Sequence, residues 1–244
     1  MSVLENNYKT NALNNLGETL LVFGGGGILL FYATHFLIPN FSKFTGIEPV
    51  LAWFFIGGLT VFFPLLIISA VILNKENKLE DFQSVVSRLR FRKMTYIDWK
   101  WALIGLIAIG VLTYLIQISL ETIVQDVRLH PVFMDTTAFS SDLFWLFAAW
   151  LPFWLLNIMG EEILWRGVIL PRQEKLWKNS AWLINAAGWM LFHVAFGWML
   201  LILLIPVLFI VPYLFQKTQN IWVAVILHAF INGLGFTTIA VGIV

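Results

Sequence analysis

Six polar residues of this chain stand where apolar ones are expected, and their spacing sorts them into three groups. The first is Glu161-Glu162-Ile-Leu-Trp-Arg166, between the almost wholly apolar runs Leu143 to Leu156 and Gly167 to Leu170. The second is His193, in Trp189-Met-Leu-Phe-His193, and the third is His228-Ala-Phe-Ile-Asn232. A charged side chain at bilayer depth costs at least ~2.5–3.5 kcal/mol. Three ionisable groups so close together therefore persist only if they pair, meet water or perform chemistry. Carboxylates and imidazoles exchange protons and asparagine donates hydrogen bonds, so proton transfer is the chemistry such a set would support.

Residues four apart are neighbours on a helix, so Glu162 and Arg166 are expected to form an ion pair within their own helix. His228 and Asn232 share one face by the same rule. Glu161 projects roughly 100° away from Glu162, which frees the two carboxylates for separate tasks. Taken singly, an intramembrane His or Asn is more often packing glue between helices, and Asn157 and Asn185 are read that way. His35 and His130 are expected to carry no special role.

The elements that position these groups follow from composition. The 244 residues are 59% hydrophobic and 12% charged, with mean hydropathy +0.83; soluble chains carry about 25% charged residues. The fold class is all-α, a polytopic membrane protein of a single domain (1–244). A span needs ~20 apolar residues, which gives about seven transmembrane helices, near 18–38, 50–73, 99–120, 143–170, 181–198, 200–215 and 221–240. As one helix, 181–215 would be ~50 Å long, so a break is expected at Gly197. Gly24 to Gly27 are expected to serve close helix packing. With no cysteine, disulfides, thiol nucleophiles and Cys-ligated metals are excluded. The polar, Asn-rich start lacks a basic n-region, so no cleavable signal peptide is expected. The net charge of +1 points to no partner, and no nucleic acid is expected.

Basic residues orient the chain. Lys75 to Lys100 contains seven Lys/Arg, and Pro171 to Asn179 contains Arg172, Lys175 and Lys178. The stretches 39–49 and 121–142 carry only Lys43 and Arg128. Positive-inside logic places the N-terminus and both basic connections in the cytoplasm of a multi-pass cell-membrane protein. Within the 75–98 loop, Phe82, Val85, Val86 and Leu89 share a helical face, which reads as an amphipathic helix on the inner leaflet or else a solvated loop. Counted from the basic connections at 1.5 Å per residue, Glu161, His193 and His228 lie ~12–21 Å deep from one side. They are therefore expected to meet in a cytoplasm-facing cavity between the C-terminal helices. That joint arrangement on three spans argues for a site over packing.

The three groups resemble the motifs of the CPBP family of intramembrane proteases, named for CAAX proteases and bacteriocin-processing proteins and also called Abi: E-E-x-x-x-R, F-x-x-x-H and H-x-x-x-N/D. The similarity covers about residues 143–240, and Thr218-Gln-Asn-Ile-Trp222 is similar to the family's T-G-S-L-W lead-in. The second motif departs from the pattern, with Trp189 in place of Phe. The resemblance implies an endopeptidase in which Glu161 activates water as general base, with His193 sharing or orienting it. His228 and Asn232 would donate to the oxyanion of the tetrahedral intermediate, and Arg166 would hold Glu162. It implies membrane lipid and a peptide or protein substrate as partners, prenylated or leader-bearing. No cofactor is favoured; zinc is the alternative, with Glu161, His193 and His228 as a His₂Glu ligand set. Two rivals remain: a non-catalytic immunity or scaffold protein keeping the fold, and a proton-coupled transporter. The latter should spread polar residues along a full path, yet the outer half of the chain is nearly bare.

Overall fold

The computed structural model describes residues 3–76, 81–124, 127, 130, 131, 133 and 144–241. Among them there are helices and no strands: α1 (Val3–Tyr32), α2 (Ile38–Thr45), α3 (Pro49–Gly57), α4 (Phe63–Lys75), α5 (Phe82–Arg88), α6 (Tyr96–Ile123), α7 (Leu146–Glu162), α8 (Leu170–Trp177), α9 (Ala181–His193), α10 (Trp198–Thr218) and α11 (Ile221–Ala240). Wide π-helical turns join α1 to α2 (Ala33–Leu37), α3 to α4 (Gly58–Phe62) and α7 to α8 (Ile163–Ile169). Most of these runs are apolar around the whole circumference, as membrane helices are.

Five helical stretches of the described residues are long and apolar enough to cross a membrane: Leu16–Thr45, Pro49–Lys75, Tyr96–Ile123, Trp198–Thr218 and Ile221–Thr238. The expected count of seven is not reproduced on this measure, and the two remaining expectations show why. Residues 146–177 carry Glu161, Glu162 and Arg166 along one helical path. Helix α9 has only 13 residues, too few for a ~30 Å core by itself. The break expected at Gly197 is present: this residue has φ 88° and starts α10 after the 3₁₀ turn Val194–Phe196. A side chain at such φ is strained.

Packing brings α9, which carries His193, against α1. A Cβ on Gly27 would lie 3.1 Å from the Leu191 carbonyl oxygen and 3.3 Å from Phe192 Cα, so the expected close approach is made here. Phe23 of α1 stacks on Trp165 with ring centroids 4.0 Å apart. Helix α10 packs against both α6 and α9, and α11 against α6, α7 and α10.

The basic connection between α4 and α6 is stitched onto the bundle. Arg88 makes a two-pronged pair with Glu76 (2.7 and 2.9 Å) and donates to the Gly167 carbonyl at 2.9 Å. Arg90 pairs with Glu174 at 2.5 Å, and Arg172 reaches both Glu76 and Glu18. Helix α5 does form, opened by an Asp81/Ser84 capping box. Leu89 beside it is buried and Val85 packs on the core, whereas Phe82 is exposed. The Glu76 carboxyl is held below the usual carboxylate range, first by its hydrogen bond to Arg88, then by the charges of Arg88 and Arg172, against the opposing effect of partial burial.

The lead-in to α11 is fixed with the same care. Gln219 takes a left-handed conformation, φ 55°, ending α10. Asn220 donates to Asp98 at 3.2 Å and accepts from the Trp222 N–H at 3.2 Å. Asp98 in turn belongs to the capping box that opens α6 with Thr95. A helix start anchored at its N-cap in this way sets the register in which His228 and Asn232 point.

Candidate active site

Glu161 stands on the last turn of α7, and the chain changes its winding directly after Glu162. The π-helical turn Ile163–Ile169 redirects the residues that follow, a feature frequent at functional sites. Its Trp165 carbonyl accepts from the Leu170 N–H and also from Asn185 Nδ2 at 3.0 Å, and Asn185 reaches Gln173, itself bonded to Thr19. Asn185 thus acts as the structural link expected of it.

The two adjacent carboxylates do face apart. Glu161 is surrounded by donors: Asn157 Nδ2 reaches Oε1 at 3.0 Å, while Trp189 Nε1 at 2.5 Å and Trp165 Nε1 at 3.4 Å reach Oε2. Glu162 and Arg166 form the expected pair at 3.1 Å, both fully buried. The Arg166 guanidinium lies over the Trp189 ring, 3.6 Å from its centroid. Glu162 Oε1 also meets His228 Nδ1 at 2.7 Å, a contact between residues on two helices that spacing along the sequence does not announce.

The histidines have assignable tautomers, because each Nδ1 faces an acceptor. His193 Nδ1 lies 2.9 Å from the Trp189 carbonyl, so this nitrogen carries the proton and Nε2 keeps the lone pair. The contact of His228 Nδ1 with a Glu162 carboxylate oxygen places a proton on that nitrogen. Asn232 Nδ2 donates to Asn157 Oδ1 at 3.3 Å, which leaves its second N–H free of that bond. The polar groups close into a ring, His228–Glu162–Arg166–Trp189–Glu161–Asn157–Asn232, that begins and ends on α11.

Glu161, His193, His228 and Asn232 line one cavity of about 340 Å³, together with Asn157 and Trp189. Glu162 and Arg166 lie behind its wall. The remaining lining is mainly apolar and aromatic, including Trp53, Phe153 and Leu204. His35 lines a second cavity of about 370 Å³, which shares Pro131 and Phe196 with the first. His130 bonds only its neighbour's carbonyl among the contacts described.

The lining of the main cavity reaches from Asn157, Glu161, His193 and His228 to the first turns of α3, α7 and α10 and the later turns of α6 and α11, for example Trp53, Gln117, Trp150, Leu200 and Thr238. Those ends lie away from the basic connections. Residues 171–177, expected to open a loop, continue the helix through Trp177, which moves Glu161 farther from that end. The basic end is moreover closed over by Leu89, against Gly167, and by the arginine pairs.

The proposed zinc ligands do not gather. No group of three His, Asp or Glu side chains among the described residues is arranged to hold a metal ion. The oxygens of Glu161 face the N–H donors of Asn157, Trp165 and Trp189. The donor set does not fit a His₂Glu cage in this arrangement.

Sequence reasoning missed Asn157 and Trp165 as partners of Glu161, although they stand four residues before and after it. Trp189 was read only as an aromatic substitution. Residues 143–234 match the family described as Type II CAAX prenyl endopeptidase Rce1-like. That interval begins where the resemblance begins and contains all three motifs. Neither the curated proteins nor the solved structures compared with this chain give a match.

Proposed function

We propose, from the match of residues 143–234 to the Rce1-like family, that this multi-pass membrane protein is an intramembrane endopeptidase that cleaves with a glutamate-activated water. One observation carries the reading: Glu161, His193, His228 and Asn232, from three separate helices, line a single otherwise apolar cavity. Packing glue would consume these groups in bonds to one another. Here Nε2 of both imidazoles and one N–H of Asn232 are left for a substrate.

Glu161 takes a proton from water as its oxygen attacks the scissile carbonyl carbon, with His193 Nε2 accepting a hydrogen bond that orients the water. The negative charge passes to the carbonyl oxygen, which meets the free N–H of Asn232 and Nε2 of His228. For Nε2 of His228 to donate, that ring must hold a second proton, and Glu162 beside Nδ1 supplies the counter-charge. The proton taken up by Glu161 then moves to the departing amine as the C–N bond breaks. No step is routed through a metal, because the donor set does not form a cage.

The substrate class is a membrane-associated peptide, prenylated or leader-bearing. The purified protein in proteoliposomes, offered an internally quenched farnesylated peptide with a CAAX terminus and the same peptide without the lipid, tests this. Cleavage of the farnesylated form in preference to the bare one supports the prenylated class. Equal cleavage of both moves the assignment to leader-bearing peptides, and cleavage of neither, with a leader peptide also left intact, rejects the protease reading.

A further inference from the structure

Trp189 touches more of the site than any other residue. Its indole N–H donates to Glu161 Oε2 at 2.5 Å, the shortest of the three bonds to that carboxylate. Its ring face carries the Arg166 guanidinium at 3.6 Å, and Arg166 is held by Glu162. Its backbone carbonyl fixes His193 Nδ1 at 2.9 Å. The His193 and His228 rings stand edge-on to it, with centroids 5.4 and 5.1 Å away.

We infer that Trp189 is the positioning residue of the site: its indole edge aims the Glu161 carboxylate, and through its face the Glu162–Arg166 pair sets that aim. The reasoning is mechanical. An indole has only two side-chain torsions, and this one is 1% exposed and clamped by a guanidinium on one face and two imidazoles at its margins. The direction of its N–H is therefore fixed. Asn157 holds the other carboxylate oxygen, but it also bonds Asn232 and stands on the same helix as Glu161. Trp189 is the donor that ties Glu161 to α9, the helix of His193. Arg166 needs the ring as well: its Nε and Nη2 have no hydrogen-bond partner among the described residues, so Glu162 and the indole face are its identified supports. A cation over an indole is the strongest form of that interaction, and desolvation strengthens it. Phenylalanine at 189 would keep the platform for Arg166 and lose the N–H to Glu161, which makes the two functions separable.

The catalytic consequence rests on Glu161 being the base; the hydrogen bond itself does not, and the test keeps the two apart. Protein labelled with ¹⁵N only at tryptophan is compared in detergent micelles as wild type, Trp189→Phe and Glu161→Gln. The resonance absent from Trp189→Phe is the Trp189 indole; should that variant not fold, Trp189→Tyr identifies the same resonance. It is expected downfield of the other indoles and to move upfield in Glu161→Gln by more than any other indole, Trp165 included. A Trp189 resonance that stays in place in Glu161→Gln overturns the link. On whichever peptide the wild type cleaves, Trp189→Phe is expected to lower kcat about 10- to 100-fold, the scale of a misplaced catalytic group, with KM nearly unchanged. A Trp189→Phe enzyme with wild-type kcat overturns the positioning role. If the wild type cleaves nothing, the protease reading fails and the indole shift alone decides whether Trp189 holds Glu161.

Discussion

At the residue scale, the adjacent glutamates are chemically distinct because the helix turns them to different neighbours. Glu161 faces the cavity among N–H donors, and Glu162 is sealed between Arg166 and His228. Removing one member of a buried pair strands the other charge, which costs ~3–5 kcal/mol in soluble proteins. Glu162→Ala and Arg166→Ala should therefore each lower the melting temperature in detergent by more than Glu161→Gln does. Equal melting temperatures for the three variants would contradict the sealed pair. The Glu162–Arg166 contact was legible because a spacing of four residues implies a shared helix face. The contacts Glu162–His228 and Trp189–Glu161 were not, since they join helices 66 and 28 residues apart in sequence, and no local pattern encodes such pairings. Asn157 and Trp165 had the right spacing around Glu161. An amide and an indole in an apolar helix read equally well as packing or as interface residues, however, so spacing alone gave them no role.

At the element scale, the helix bearing Glu161 is held at the middle of the π-helical turn that follows it. Asn185 gives the Trp165 carbonyl a second donor beside the Leu170 N–H, and Arg88 reaches the Gly167 carbonyl while paired with Glu76. The apolar runs that form these helices were plain in the sequence. The winding change at Ile163–Ile169 was not, because π turns arise from tertiary demands on carbonyl groups rather than from propensity. The continuation through Trp177 was obscured by Pro171 and the basic residues after it; Pro171 sits in the first turn of α8, where proline is tolerated. The clamp has a pH signature. Glu76 has its carboxyl held below the usual range by Arg88 and Arg172, so it contributes stability that is present above the unfolded-state value of about 4 and is lost as pH falls through the lower folded value. Thermal stability of the wild type should decline over that acidic window, and Glu76→Gln should show a shallower decline from a lower plateau. Identical pH profiles for the two proteins would show that the clamp contributes nothing measurable.

At the scale of the whole molecule, two readings of the same chain are now linked. By positive-inside logic the basic connections mark the end of the bundle expected in the cytoplasm, and the cavity lining extends from Glu161 and His228 toward the other end, as far as Gln117 and Thr238. Sequence hydropathy showed the membrane class and most of the helices. It could not show that α5 and its arginines fold back to close one end, since loop charges look alike whether solvated or paired. Single cysteines at Ser87 and Thr45, introduced into this chain without native thiols, are expected to be labelled from the cytoplasmic and the outer side respectively. The reverse pattern would place the cavity end in the cytoplasm and overturn the positive-inside assignment. The central claim, peptide hydrolysis by Glu161, stands apart from orientation. It is tested most directly by comparing the membrane peptides of native host cells carrying the wild-type chain with those carrying Glu161→Gln at matched protein levels. At least one cleavage product should be present with the wild type and absent with the variant, its uncut precursor accumulating instead. The same set of products in both would contradict the account.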